Sequence, residues 1–483
     1  MNPQHLLSRR QWLRRVAGFG AALGGGAGAS LLLPASSVQA ADYRALVCVF
    51  QYGGNDGLNT IVPTDDARYA AYAAVRGELA LPRERLIAVP GTDFGLHPAL
   101  SSLATMFAER RAAPVWNVGP MRRRLDLAGL RAAILAGDAS AVPDNLFSHS
   151  DQQVLWETAG ASTLDRTGWG GRASQALATT WPVMAIGDAG LRFGLSSQSG
   201  AVVLPGPGTD LVPAGFSTAD LATAAGAARR DALAAMYAAP GDSALADAFV
   251  AGQQQAFDMA SGLASLVKVQ PGQASALAAV DAAFAPLVAN GGIQTSMGQQ
   301  FYQVAKMVAA SAGLGVRRQI FFTSQHGYDT HRGQIARGDV LAGDHARLLT
   351  EFGDAVAALH RAMAAIGLDG AVTTFTHSDF GRTFRPNRSL GTDHAWGNTQ
   401  LVFGSSVLGG RGWGLHPQLQ LAGPDDIDAL ATEPAGRWLP TTAVEEYVAT
   451  LLRWCGADSS QLAQALPNLS AVSGSSPLGF LPA

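Results

Sequence analysis

The sequence predicts an α/β protein: a doubly wound, mostly parallel sheet carrying an Ala-rich helical insertion. Three observations predict it. Short apolar runs recur along the chain; they are continuous and do not alternate with polar residues, as expected of strands covered on both faces; and helical patterns lie between them. The 483 residues are 48% hydrophobic and 15% charged, enough for a large core and unlike collagen-like, coiled-coil or wholly disordered chains.

The first forty residues read as an address. Ser8-Arg9-Arg10-Gln11-Trp12-Leu13-Arg14, a Gly/Ala-rich apolar stretch over 16–33 and Val38-Gln39-Ala40 form a twin-arginine export signal with a small-residue cleavage site. Its glycines leave it too weakly hydrophobic for a spanning helix, and no later run reaches the roughly 18 apolar residues that spanning needs. The expectation is therefore a mature chain with no transmembrane segment, periplasmic or extracellular. Residues 41–483 carry 30 basic against 37 acidic residues, a balance that recruits neither nucleic acid nor anionic lipid. Cys48 and Cys455 stand in apolar surroundings as expected buried thiols, and the lack of a CxxC or Cys/His cluster excludes thiolate metal sites.

The expected strands are 44–51, 113–119, 182–187, 318–324, 371–377 and 399–405, and the expected helices 98–111, 293–312, 340–366 and 442–455. From about 217 to 286 the chain turns Ala-rich and strandless, a helical insertion and candidate cap over one end of the sheet. The tail beyond 470 reads as a loosely held end. One α/β domain over 41–483 accommodates all of this.

In an open parallel sheet, ligands bind beyond the carboxyl ends of the strands. The first run leads into Gly53-Gly54-Asn55-Asp56; the fourth into Gln325-His326-Gly327-Tyr328-Asp329-Thr330-His331; the fifth into Ser378-Asp379-Phe380-Gly381-Arg382, followed by Gly391-Thr392-Asp393-His394. Carboxylates and imidazoles gathered on one edge leave uncompensated charge unless a cation or substrate balances them. One or two divalent ions (Zn, Mn, Mg or Ca) held by oxygen and imidazole nitrogen are the economical solution. Each motif taken alone has a local explanation: a turn at 53–56, a helix cap at Asp329, an Asp379–Arg382 ion pair, a packed His394. Their joint arrival at one edge favours the metal.

The segment Phe147-Ser148-His149-Ser150-Asp151 fits a helix start, with Ser148 as N-cap. A helix N-terminus also attracts anions, so Ser148 is a candidate nucleophile toward phosphate or sulfate, with His149 as an alternative ligand or acid and Ser150 third. Arg382 is the candidate for steadying the anionic group.

The motifs GGNDGLNTIVP, LHPAL, FSHSDQQVLWETAG, GYDTH, SDFGRT, GTDHAWG and TTAVEEYVATLLRWCG, in this order, make the chain resemble the secreted bacterial family catalogued as domain of unknown function 1501. That family is placed as a distant relative of the alkaline phosphatase and sulfatase superfamily. The resemblance implies an alkaline-phosphatase-like sheet and a divalent metal centre, with Asp329, His331 and His394 at one site and Asp379 joining Asp56 at a second. Two departures stand against a complete two-metal site: Phe380 follows Asp379 where the superfamily commonly has His or Asn, and only one residue separates Asp329 from His331. His326 and Ala395 stand where the family usually has Gly, and His326 is a possible extra ligand. The expected function is an exported metal-dependent hydrolase of a phosphate or sulfate ester. The alternative is a non-catalytic cell-envelope binding or assembly protein that keeps the fold. An oxidoreductase is disfavoured, since no GxGxxG follows the first strand.

Overall fold

The computed structural model describes residues 42–160, 162–187, 189–212, 214–238, 243–473 and 478–482. The expected export signal lies outside them. Eight strands form the main sheet: Arg44–Tyr52 (β1), Ala112–Gly119 (β2), Met184–Ile186 (β3), Val202–Leu204 (β4), Arg318–His326 (β5), Val372–Ser378 (β6), Asn398–Phe403 (β7) and Thr442–Ala443 (β8), in the spatial order β8-β2-β7-β6-β1-β5-β3-β4. β1 pairs in parallel with β5 and β6 at the centre, and only β7 runs against the rest.

β1 shows why the run RALVCVFQY is a strand. Ala45, Val47 and Val49 enter one apolar layer and Leu46, Cys48 and Phe50 the other, each completely buried. Side chains that alternate between two covered faces need apolar residues at every position. The first layer is completed by helices Ser296–Ala309 and Asp344–Ala365, the second by Trp169–Ala176 and Val444–Trp454. In Val444–Trp454, residues Val444, Tyr447, Val448, Leu451 and Leu452 recur at helical spacing and all sit in the second layer. Cys48 and Cys455 are buried free thiols in that layer.

All six expected strands are present. Two edge strands were not expected: β4 (VVL) and β8 (TA) are three and two residues long, too short for a periodic signal. Residues 98–111 depart from the expected helix: Pro98–Leu103 is a 3₁₀ segment kinked at Leu100, and only Ala104–Ala108 is α-helical. Residues 217–286 are helical as expected, with Ala224–Ala238, Ala244–Lys268 and Ala278–Phe284 as their longest helices. Met259, Leu263, Leu266 and Val267 pack into the first face layer, as the apolar stripe of a long helix is buried best along a sheet face. No helix among the described residues is long and apolar enough to cross a membrane.

The reversal at β7 positions the chemistry. Because β7 starts beside the end of β6, the connection 379–397 must stay at the carboxyl edge, beside the loops that follow β1 and β5.

Candidate metal centre

Three loops meet at this edge because the first contains two glycines. Gly53 and Gly54 have φ of 112° and 83°. A Cβ on Gly53 would lie 2.3 Å from the Asp329 amide nitrogen, and one on Gly54 would lie 2.6 Å from the Phe380 ring. No other residue combines that backbone with that approach. Arg382, fully buried, ties the loops together. It donates to the carbonyls of Gly53, Gly54 (2.8 Å), Tyr328 (3.0 Å) and Thr392 (3.1 Å), and to Asp329 Oδ1 (2.7 Å).

Three imidazoles converge on that same Asp329 oxygen. The Nε2 atoms of His149, His331 and His394 lie 3.3, 3.2 and 3.3 Å from Oδ1. The ligand atoms of His149, Asp329 and His394 all fall within 4.8 Å of one another, and His331 Nε2 joins them 2.9 Å from His394 Nε2. Each ring is anchored from behind through Nδ1: His149 to Asp379 Oδ2 at 2.5 Å, His331 to Asp393 Oδ1 at 2.7 Å, and His394 to the Phe147 carbonyl at 2.7 Å. An Nδ1 facing an oxygen acceptor carries the proton, which leaves Nε2 with its lone pair. Lone pairs 2.9 Å apart repel, so the cluster calls for a proton or a cation between them. His149 Nε2 is buried without a hydrogen-bond partner among the described residues, as a ligand atom awaiting an ion would be.

The supports are built locally. His149, Gln153 and Glu157 fall on one face of the helix His149–Thr158. His149 and Gln153 (3.0 Å) reach Asp379, and Glu157 accepts the Tyr52 hydroxyl at 2.8 Å. Phe147 adopts a left-handed φ of 73°, uncommon for an aromatic residue. It is held by the Arg437 guanidinium 5.0 Å above its ring, while Arg437 Nε donates to the His394 carbonyl at 2.8 Å. Burial alone would raise the Asp329 carboxyl, but the hydrogen bond and charge of Arg382, with His149 and His331, hold it down at about 2. The hydrogen bond to Asp379 lifts the pKa of His149 against the effect of burial. Burial lowers that of His394, with the Phe147 carbonyl opposing it.

Of the residues that the sequence singles out, Asp329, His331 and His394 come together, and His149 joins them as a potential ligand. Asp379 reaches the cluster only through His149. Its Oδ2 is shared among His149, Gln153 and the Gly53 amide, and its buried Oδ1 has no partner among the described residues. Asp56 stands apart, so the expected Asp56–Asp379 metal pair does not form. Both Asp56 oxygens are taken by Arg76 at 2.8 Å, and Gln334 adds a third bond at 2.6 Å, in a pair with no side-chain exposure. Arg382 is placed otherwise than expected: buried, it holds four carbonyls and Asp329 and so ties the loops to one another instead of standing open to an incoming anion. Ser148 occupies the N-cap position but makes no capping bond, and its Oγ meets Ser150 Oγ at 3.2 Å. His326 is exposed and stacks on Tyr52, with centroids 4.7 Å apart, and is no further ligand. Asp393 stands beside His394 in GTDHAWG, and its place behind His331 rests on a contact between residues 62 positions apart. The Phe147 carbonyl carried no signal, since any residue would supply one.

A family model described as a protein of unknown function, DUF1501, matches residues 43–432. The chain belongs to this family. No curated protein matches the chain. The ligand candidates of the DUF1501 centre and the groups behind their Nδ1 atoms fall inside the matched span, while Arg437, which holds Phe147, lies beyond it. The DUF1501 chain thus presents a His/Asp group that could hold a metal ion, with its anchoring residues in place.

Proposed function

We propose that this protein is an exported metal-dependent hydrolase, distantly related to alkaline phosphatases and sulfatases, acting on phosphate or sulfate esters outside the cytoplasm. One observation carries the reading: three imidazoles, each pinned through Nδ1, turn their Nε2 atoms onto one carboxylate. Metal-ligating histidines are oriented in this way by a carboxylate or carbonyl behind them. The twin-arginine motif supports export, and the mostly parallel sheet with acidic and imidazole residues at its carboxyl edge supports the kinship.

His149, His331, His394 and Asp329 would hold one ion. Three nitrogens and one oxygen suit Zn better than Mn, Mg or Ca, which prefer oxygen-rich shells. Bound there, a divalent ion supplies Lewis acidity to an ester oxygen and lowers the pKa of water. Asp379, Asp393 and the Phe147 carbonyl keep the rings aimed, and Arg382 keeps Asp329 ionised. Ser148 has no base beside its hydroxyl among the described contacts, which favours water as the attacking group.

The test is elemental analysis of purified mature protein together with a panel of aryl phosphates and sulfates. About one ion per chain is expected, lost in Asp329→Ala combined with His331→Ala, with turnover lost in parallel. A metal-free protein whose thermal stability ignores chelators overturns the reading. The buried engagement of Arg382 favours a second reading, a metal-holding envelope protein without catalysis; bound metal with a blank panel would select it.

A further inference from the structure

With Arg382 committed to the loops, the anionic part of a substrate needs other cations, and the rim of the centre has them. Arg332 follows the ligand candidate His331. Arg385 and Arg388 flank Asn387, whose Nδ2 donates to the His331 carbonyl at 2.9 Å and to Asp393 Oδ1 at 3.1 Å. The segment is pressed there by its backbone, since Thr392 N donates to Thr330 O at 3.1 Å and a Cβ on Gly391 would lie 2.4 Å from the His331 carbonyl oxygen. Arg332 and Arg388 are exposed and Arg385 is half-buried. None of the three side chains has an ion pair, hydrogen bond or ring contact among the described residues.

Arg382 is engaged with Asp329, Arg437 with Asp428 and Arg122 with Asp144, whereas Arg337, farther along the loop after β5, is unpaired like these three among the described residues. Arg332 next to His331, and Arg385 and Arg388 on either side of Asn387, place three unpaired arginines in the two segments that meet at one ligand candidate, more positive charge than a single ester group at the centre would use. Guanidinium forks match phosphate and sulfate oxygens.

Resting on the hydrolase reading, we infer that the substrate carries a second phosphate or sulfate group beside the one at the metal centre, and that Arg332, Arg385 and Arg388 select for it. The second charge comes from a small bis-ester or from the next unit of an anionic glycan. The shared chemistry is two phosphate or sulfate groups on one frame, close enough for the second to reach the three arginines while the first lies at the centre.

Calorimetric titration tests this with fructose 1,6-bisphosphate against fructose 6-phosphate, and with dextran sulfate against glucose 6-sulfate. The doubly charged or polymeric member should bind roughly tenfold tighter or more, the scale of one charge-assisted contact. The preference should vanish in R332A/R385A/R388A, persist in the corresponding triple Lys variant, and shrink as NaCl is raised. Preference in the first pair alone marks a small substrate, and in the second alone a polymer. Equal affinities in both pairs, or a preference kept by the alanine variant, overturns the inference. Should that variant fail to fold, a salt-insensitive preference in the unaltered protein does the same. A wild-type protein that holds no metal but still prefers the doubly charged ligand keeps the rim and discards the hydrolase reading.

Discussion

His331 and His394 bring two Nε2 atoms to 2.9 Å while each Nδ1 is already bonded to an oxygen. At the residue scale the anchoring partners are therefore as informative as the ligand candidates. Asp379→Asn keeps the size of the side chain but weakens the acceptor behind His149. Metal affinity, read by competition with a chromogenic chelator, should drop about 10- to 100-fold, and an unchanged affinity would remove His149 from the ligand set. Arg382→Met leaves Asp329 without its guanidinium and four carbonyls without their donor. The Asp329 side chain is half exposed, so the cost falls on the buried carbonyls, at about 1–3 kcal/mol for each one left unsatisfied, and denaturant titration should show a large loss of stability. A variant as stable as the parent would return Arg382 to its first-expected role in holding a ligand. Asp329 and His394 could be nominated from the sequence because Asp and His in Gly-containing loops are rare outside turns and sites. The assignment of Asp56 failed because a buried carboxylate satisfied by an arginine twenty residues away looks the same in sequence as a ligand.

At the scale of elements, strands and helices were legible wherever periodicity extended over a full strand or several helical turns. β1 and Val444–Trp454 are buried along their lengths and announce themselves. β4 and β8 are pairing events at sheet edges, decided by neighbours. Two tests belong here. Gly53→Ala puts a methyl 2.3 Å from Asp329 N at a φ of 112°, so it should displace the Asp329 loop and abolish metal binding while the far-ultraviolet dichroism stays native. Retained metal would show that the loop has slack. In Val444–Trp454, burial drives the Glu445 carboxyl up from its ordinary 4.5 to about 7, with the Asn468 amide opposing. A carboxyl raised by folding supports the folded state fully below its ordinary value, and that support is lost as pH rises through about 7. Stability should fall from pH 4.5 to pH 7 by an amount on the order of 3 kcal/mol from this group. Glu445→Gln should flatten the fall. Thermal melts of both proteins at pH 5 and pH 8 decide it, and parallel shifts would clear Glu445.

For the whole molecule, the ligand candidates join the loops that follow β5 and β6 to the start of the helix His149–Thr158, so an ion bound there cross-links three segments between residues 149 and 394. A ligand that binds only the folded state stabilises it by about 4 kcal/mol at a thousand times its Kd. Chelator treatment of metal-loaded protein should therefore lower the melting temperature by several degrees, and calorimetry showing no shift would mean that the ion, if held at all, is held weakly.

The sequence by itself determined the class of fold, the positions of six of the strands and which strand ends would carry acids and imidazoles, because apolar continuity and the residues next to it are local properties of the chain. Only the tertiary structure decided which of those polar groups meet. It sent Asp56 and Arg382 to buried partners and brought His149 forward, because the choice depends on distances among loops whose residues lie up to 329 positions apart and on a backbone carbonyl no side-chain pattern encodes.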